Sequence, residues 1–266
     1  MSGRERSSAF SVAGVKLDAM AGSDTIRTVA SWCAEPRASR RTVCFVNAYS
    51  LASASRDEAF RAAINESDLS VVDGAPVAWL GRWLTGQSCD RVSGPDLMHK
   101  LLSAPEHMNI RHFIYGGDAA ALSRIESRYK AAGGRPRIVG SWAPPWRELT
   151  AEEEQELVDR LNGLNPDIIW VCLGTAKQEK WMARMAPRLN ARVLAGVGAA
   201  VDFLSGGKPR APHWMQRAGL EWLFRLGSEP RRLWRRYLIG NVVFLRLAGQ
   251  ELLRGRARHA GAGGGA

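Results

Sequence analysis

Six short apolar, β-rich runs recur along the chain, at residues 42–46, 69–72, 112–115, 137–139, 167–173 and 192–197, each separated from the next by a segment that can form a helix. Strands alternating with helices build a parallel sheet with helices on its faces, so the expected class is α/β, a Rossmann-like parallel sheet covered by helices. Most runs end in residues that suit a turn or carry chemistry: Asn47, Asp73, Gly116 with Gly117, Gly174 with Thr175, and Gly198. In open α/β sheets ligands bind beyond the carboxyl ends of the strands, which gathers these residues along one crevice. For any single glycine, the end of a strand is explanation enough.

The chain's 266 residues, 45% apolar and 24% charged, fit a globular protein with one large core or two modest ones and exclude disorder as its main state. Four cysteines, Cys33, Cys44, Cys89 and Cys172, lack paired spacing, which favours incidental or buried thiols in a reducing compartment. The first residues lack a secretion signal, and the longest apolar candidate, residues 237–249, is broken by Asn241 and Arg246. A cytoplasmic location is expected.

Charge is uneven. Twelve Lys and Arg stand against three Glu between Ser205 and His259, so nine of the eleven excess positive charges fall in that stretch. From Pro230 the pattern predicts one long helix. Arg231, Arg232, Arg235, Arg236 and Arg246 share an arc of roughly 140°, opposite Leu233, Trp234, Tyr237, Leu238, Phe244 and Leu245. Such a helix suits a headgroup layer, and equally a solvated face on a packed helix. The expected organisation is a flexible N-terminus (1–10), an α/β catalytic domain (11–204), a basic amphipathic helical appendage (205–254) that meets the membrane and completes the active site, and a disordered Gly/Ala-rich tail (255–266).

Several side chains suit chemistry. Asp73 before Gly74 stands at the crevice rim, where it reads first as a turn former and alternatively as a general base. Asp118 can cap a helix over 119–132, placing N–H groups after Gly116 and Gly117 where a phosphate fits. Thr175, Lys177 and Gln178 open a helix at a strand end and suit a diphosphate as well as an ordinary turn. Thr150 with Glu153 forms a capping box for a helix to about Leu164. Asp202 reads as a turn residue, with a substrate hydroxyl as the second reading. Gly196-Val197-Gly198 lacks the third glycine of a dinucleotide fingerprint, and the histidines have no ligand spacing, so neither a nicotinamide cofactor nor a metal is expected.

In order, Asp73-Gly74-Ala75-Pro76, Arg91 through Leu97, Gly174 through Trp181, Gly196-Val197-Gly198 with Asp202-Phe203, Arg210-Ala211-Pro212, Gly219-Leu220-Glu221-Trp222, and Glu229 through Arg232 up to Arg236-Tyr237 resemble the WecG/TagA/CpsF family of bacterial glycosyltransferases. The likeness runs over about residues 11–247, and the ordered set is far more specific than any one motif. It implies inverting, metal-independent transfer from a UDP-sugar to a polyprenyl-diphosphate-linked saccharide, by an enzyme peripheral to the cytoplasmic face of the membrane. By position, Asp73 would be the general base, Asn47 would stand near the reacting sugar, and Arg91 and Gln178 would hold the donor. Arg232, Arg235 and Arg236, with Arg231, would meet the membrane and close over the leaving group. This chain has Phe45 where members often carry threonine, Ala176 where proline is usual, and Val201 where an aromatic is common. The 142–146 stretch is more similar to exopolysaccharide-building members. Oligomeric state stays open. Two rival classes remain: a basic nucleic-acid-binding or RNA-modifying protein, and a dinucleotide-dependent oxidoreductase argued from fold alone.

Overall fold

The computed structural model describes residues 9–36, 39–131 and 137–262. Eight strands form one sheet: β1 (Ala9–Val12), β2 (Val15–Asp18), β3 (Arg41–Val46), β4 (Leu69–Val72), β5 (Arg111–Gly116), β6 (Arg137–Trp142), β7 (Ile168–Cys172) and β8 (Val193–Gly196), in the order β1-β2-β4-β3-β8-β7-β5-β6. All neighbours run parallel except β1 and β2, which form an antiparallel hairpin at one edge. The central strands are buried on both faces, which is why their sequences read as continuous apolar runs.

The expected strands are present with ends shifted by a residue or a few, whereas the hairpin has no counterpart in the sequence reading. Its strands have four residues each, and its turn puts Ala13 and Gly14 at φ 52° and 79°. Alanine in the first position hides a turn that asparagine or glycine would announce. Ala9 and Phe10, expected in a flexible N-terminus, are thus paired strand residues, and residues 1–8 lie outside the described residues.

Among the described residues twelve α-helices connect and cover the strands. On one face lie α2 (Ala48–Ala54), α3 (Glu58–Asn65), α4 (Ala75–Thr85), α7 (Ala151–Leu164), α8 (Lys177–Met185) and α12 (Pro230–Ala262), burying Leu51, Phe60, Val77, Leu157, Met182 and Phe244 in one core. On the other lie α1 (Gly22–Trp32), α5 (Gly94–Ser103), α6 (Ala119–Ala131) and α9 (Ala200–Leu204), whose Val29, Leu97, Ile125 and Leu204 fill the second core. Two short helices, α10 (His213–Arg217) and α11 (Glu221–Ser228), precede α12. Helix α7 opens with the expected Thr150–Glu153 capping box. Cys33, Cys44 and Cys89 are buried, and all four cysteines are free.

The chain leaves β3 toward the first face and β8 toward the second, although these strands are neighbours. Their carboxyl ends therefore form a switch point, the place where α/β sheets bind ligands. Helix α12 packs on α2, α4 and β1, and no helix among the described residues is long and apolar enough to cross a membrane. It continues to Ala262, past Gly255 where the sequence predicts disorder; Leu252 packs against the first core, and Glu251 both accepts from the Ala13 N–H and pairs with Arg254, so the helix is anchored as far as residue 254. Residues 263–266 lie outside the described residues.

Candidate active site

The ends of β3 and β4 carry the centre of the site. The Asp73 N–H donates to the Val46 carbonyl (2.9 Å), locking the end of β4 to β3. Gly74 follows at φ 143°, a conformation that L side chains resist, and turns the chain into α4 with Pro76 in its first turn. Asn47 caps α2: its Oδ1 accepts from the Ser50 N–H (3.1 Å) and hydroxyl (3.3 Å). Its Nδ2 has no partner among the described residues, and its Cβ lies beside Gly74. The two residues expected at the reacting centre thus stand together.

Arg91 comes from a loop fastened to the same strand end, through the Val92 N–H on the Val72 carbonyl (2.9 Å). Its guanidinium lies 4.0 Å from the Asp73 carboxylate and 2.5 Å from that of Glu221, at the head of α11. The Asp73 side chain is a quarter exposed. Desolvation in the crevice raises its pKa above the ordinary carboxylate value; Arg91 opposes the rise, Glu221 adds to it and Arg225 opposes it. A carboxylate that holds its proton more tightly than usual, still open to one side, has the character of a general base.

Glu221, Arg225, Lys208 and Arg210 were not singled out as site residues from sequence, yet they hold the C-terminal segment over the crevice. Arg225 sits 3.5 Å from Glu221, four residues earlier, a helical spacing that could have flagged the pair. Arg210 pairs with Asp96 (2.6 Å) and donates to the Ser93 hydroxyl (3.1 Å) at the head of α5. Lys208 bridges Asp202 (2.8 Å) and Glu229 (3.3 Å), and Glu229 in turn receives two bonds from Arg232. The Asp202 carboxylate therefore pairs with a lysine of the segment and anchors it.

The five arginines grouped by helical periodicity separate in space. Arg231 and Arg235 point outward, as does Arg246. Arg232 is held by Glu229, and Arg236 turns inward with its guanidinium 4.3 Å above the Tyr49 ring. Arg225 likewise lies over Phe203 (4.5 Å). Among the described residues the Nε atoms of Arg225 and Arg236 are buried without a hydrogen-bond acceptor. Desolvation pulls the Arg236 pKa below the ordinary arginine value, and the positive charges of Arg225 and Arg232 act in the same direction. Guanidinium groups crowded together with unused donors favour an anion. The apolar side of α12 also divides: Leu233, Tyr237 and Phe244 are buried, while Trp234, Leu238 and Leu245 are exposed.

The turn after β7 is built differently from its expectation. Gln178 is 3% exposed, and both ends of its amide are committed to the fold. Its Nε2 donates to the Gly196 carbonyl (2.7 Å) and Glu179 (2.9 Å), and its Oε1 accepts from the Gly198 N–H (2.9 Å). Gln178 consequently ties α8 to the end of β8 and the loop that follows it. Ala176 has φ 70°, and its N–H donates to Glu179 (2.8 Å), so proline, usual in the family here, fits neither the angle nor the bond. Thr175 and Lys177 flank this turn, with Lys177 exposed and without an ion-pair partner among the described residues. Packing accounts for Gly116 and Gly117: added Cβ atoms would lie 2.5 Å from the Cys172 carbonyl oxygen and 2.6 Å from Val201. Among the described residues no three His, Cys, Asp or Glu side chains gather as a cation cage.

The ends of neighbouring strands thus bring a desolvated carboxylate beside a cluster of arginines. Residues 10–258 match the glycosyl transferase WecG/TagA/CpsF family, so the chain belongs to that family and is a glycosyltransferase. It is similar to the N-acetylglucosaminyldiphosphoundecaprenol N-acetyl-beta-D-mannosaminyltransferase of Bacillus subtilis strain 168, 27% identical over 183 residues, covering 69% of each chain. The enzyme of the same description from Bacillus spizizenii is 27% identical over 179 residues, covering 67% of each.

Proposed function

We propose that this enzyme moves a sugar, with inversion and without a metal, from a UDP-linked donor to a saccharide carried on polyprenyl diphosphate, in the synthesis of an exopolysaccharide or related cell-surface glycan. The observation that carries the reading is the desolvated Asp73 carboxylate beside Arg91 at the end of β4, with α11 closed over it. The relatives' names supply the acceptor class, a saccharide on undecaprenyl diphosphate.

Asp73 takes the proton of the acceptor hydroxyl as its oxygen bonds to the anomeric carbon, and the bond from that carbon to UDP breaks. Negative charge then grows on the departing diphosphate. Arg225 and Arg236, whose buried donors lack acceptors, are the groups of this chain suited to receive it. The Asn47 amide nitrogen, without a partner among the described residues and beside Gly74, suits a sugar hydroxyl.

A lipid-linked acceptor calls for an enzyme at the membrane surface, and the outer face of α12 suits that place on the inner leaflet. Its outward arginines stand among Trp234, Leu238, Val242 and Leu245, which favours a lipid surface over a nucleic acid. The test is acceptor-dependent UDP release from a panel including UDP-glucose, UDP-galactose and UDP-N-acetylmannosamine, with short-chain polyprenyl-diphosphate saccharides and EDTA. Turnover of one donor supports the reading; silence across the panel from a folded protein, or turnover only after a divalent cation is restored, contradicts it.

A further inference from the structure

Helices α4 and α12 lie on the same face of the sheet and touch each other: Val77 and Leu80 of α4 and Phe244 of α12 share one core. Both also rest on the β1 hairpin, where an added Cβ at Gly81 would lie 2.8 Å from the Phe10 ring and Glu251 accepts from the Ala13 N–H. Their outward side chains therefore form one surface. On α4, Trp79 and Trp83 stand a turn apart, 51% and 50% exposed. On α12, Trp234, Leu238, Ile239, Val242, Leu245 and Leu253 face outward. Among the described residues, every other large apolar side chain this exposed is Trp146, Trp214 or Leu223, so the apolar exposure is concentrated here.

A concentrated apolar surface calls for an occupant, and charge selects it. Arg231, Arg235 and Arg246 point outward from the same helix without an ion-pair partner among the described residues, and Arg235 lies 5.2 Å from the Trp234 ring. Arginine among aliphatic side chains, with tryptophans alongside, matches the headgroup layer of an anionic bilayer, where indole rings settle.

We propose that Trp79 and Trp83 join the outer face of α12 in one surface seated in an anionic membrane, so that the catalytic domain itself contacts lipid. This rests on the membrane reading above and adds a second contact to it. The consequence is positional. Asp73 lies two residues before α4, and Trp79 lies about 6 Å along the helix axis from Ala75. The turn at Gly219 clasps this first stretch, since a Cβ there would lie 3.1 Å from the Ala75 Cβ and 3.2 Å from the Trp79 ring. Seating α4 therefore fixes the height of the crevice above the lipid, where the diphosphate of a membrane-borne acceptor lies.

The test is sedimentation of the full-length protein with phosphatidylcholine vesicles, with and without phosphatidylglycerol. Trp79→Ala/Trp83→Ala is compared with the wild type and with Leu238→Ser/Val242→Ser/Leu245→Ser, and Trp83→Ala alone is included because Trp79 also packs on the Gly219 turn. The double variant should partition onto anionic vesicles about ten-fold more weakly, Trp83→Ala should fall between it and the wild type, and the thermal transition of Trp83→Ala should be unchanged. If both tryptophan variants bind as the wild type does while the α12 variant fails, the inference is overturned and the membrane reading stands. If tryptophan replacement changes only the oligomeric state, the patch is a contact between copies and the inference is overturned. Wild-type protein that ignores anionic vesicles overturns both.

Discussion

At the end of β7 the turn commits its Gln178 and Glu179 side chains to the fold, whereas at the end of β4 the Asp73 carboxylate and the Asn47 amide nitrogen are held open. Gln178 and Glu179 bond to the backbone of their own turn, to the β8 loop and to each other, and are 3% and 2% exposed. Among the described residues the Asp73 carboxylate makes no hydrogen bond, only its 4.0 Å approach to Arg91, and the Asn47 amide nitrogen beside it has no partner. Both turns join a parallel strand to a helix on the same face of one sheet. A polar side chain at a strand end is thus no guide to chemistry until its bonds are counted: satisfied groups position the chain, and unsatisfied desolvated ones await a substrate.

The contrast breaks most easily at its reactive end. Asp73→Asn should lower turnover by about 10²–10⁴-fold, measured as UDP release, with no loss of thermal stability. The sign follows from the raised pKa: the ionised carboxylate is disfavoured in the fold, so removing its charge at neutral pH removes a cost. At the β7 end, Gln178→Ala should unfold at lower denaturant, because the buried Gly196 carbonyl and Gly198 N–H each lose a partner at about 1–3 kcal/mol. Unchanged stability with lost turnover would move Gln178 to the reactive side of the comparison.

Ala176→Gly should stabilise the protein by about 1 kcal/mol at most, since glycine accepts the 70° φ without strain. Ala176→Pro should destabilise it strongly, because it loses both the angle and the bond to Glu179. The smallest effect concerns pH. Burial lifts the Glu179 carboxyl from 4.5 to about 7, against the hydrogen bonds from Gln178 and Ala176. Between these values the folded protein binds the proton and the unfolded chain does not, so this group's stability contribution is present below pH about 4.5 and declines as pH rises through about 7. Melting curves from pH 5 to 8 should show that decline flattened in Glu179→Gln, which keeps an acceptor for the Ala176 N–H.

Where the sequence was legible, local pattern and tertiary need agreed. The central strands are buried on both faces and read as apolar runs, and the strand-end rule brought Asn47 and Asp73 together. The hairpin was invisible because Ala13 occupies a positive-φ position without the usual residue. The bonds of Gln178 were not legible because its partners, Gly196 at the end of β8 and Gly198 just after it, are far along the chain, and only the fold brings them to α8. Helical periodicity grouped Arg236 with Arg231 and Arg235, but it cannot say which part of an arc docks. The close crossing of α12 over α2, where a Cβ at Gly240 would lie 3.3 Å from the Tyr49 ring, takes Arg236 inward and leaves the others outside.

The central claim is that Asp73 is the base, and the pH dependence of kcat/KM for acceptor-dependent UDP release tests it most directly, with wild type and Asp73→Asn measured side by side. With Asp73 as base, the wild-type rate falls with acidity through a pKa above the ordinary 3.8 of aspartate, and the variant is much slower and lacks that limb. An acid limb unchanged in the variant, or a variant as fast as the wild type, would place the base elsewhere.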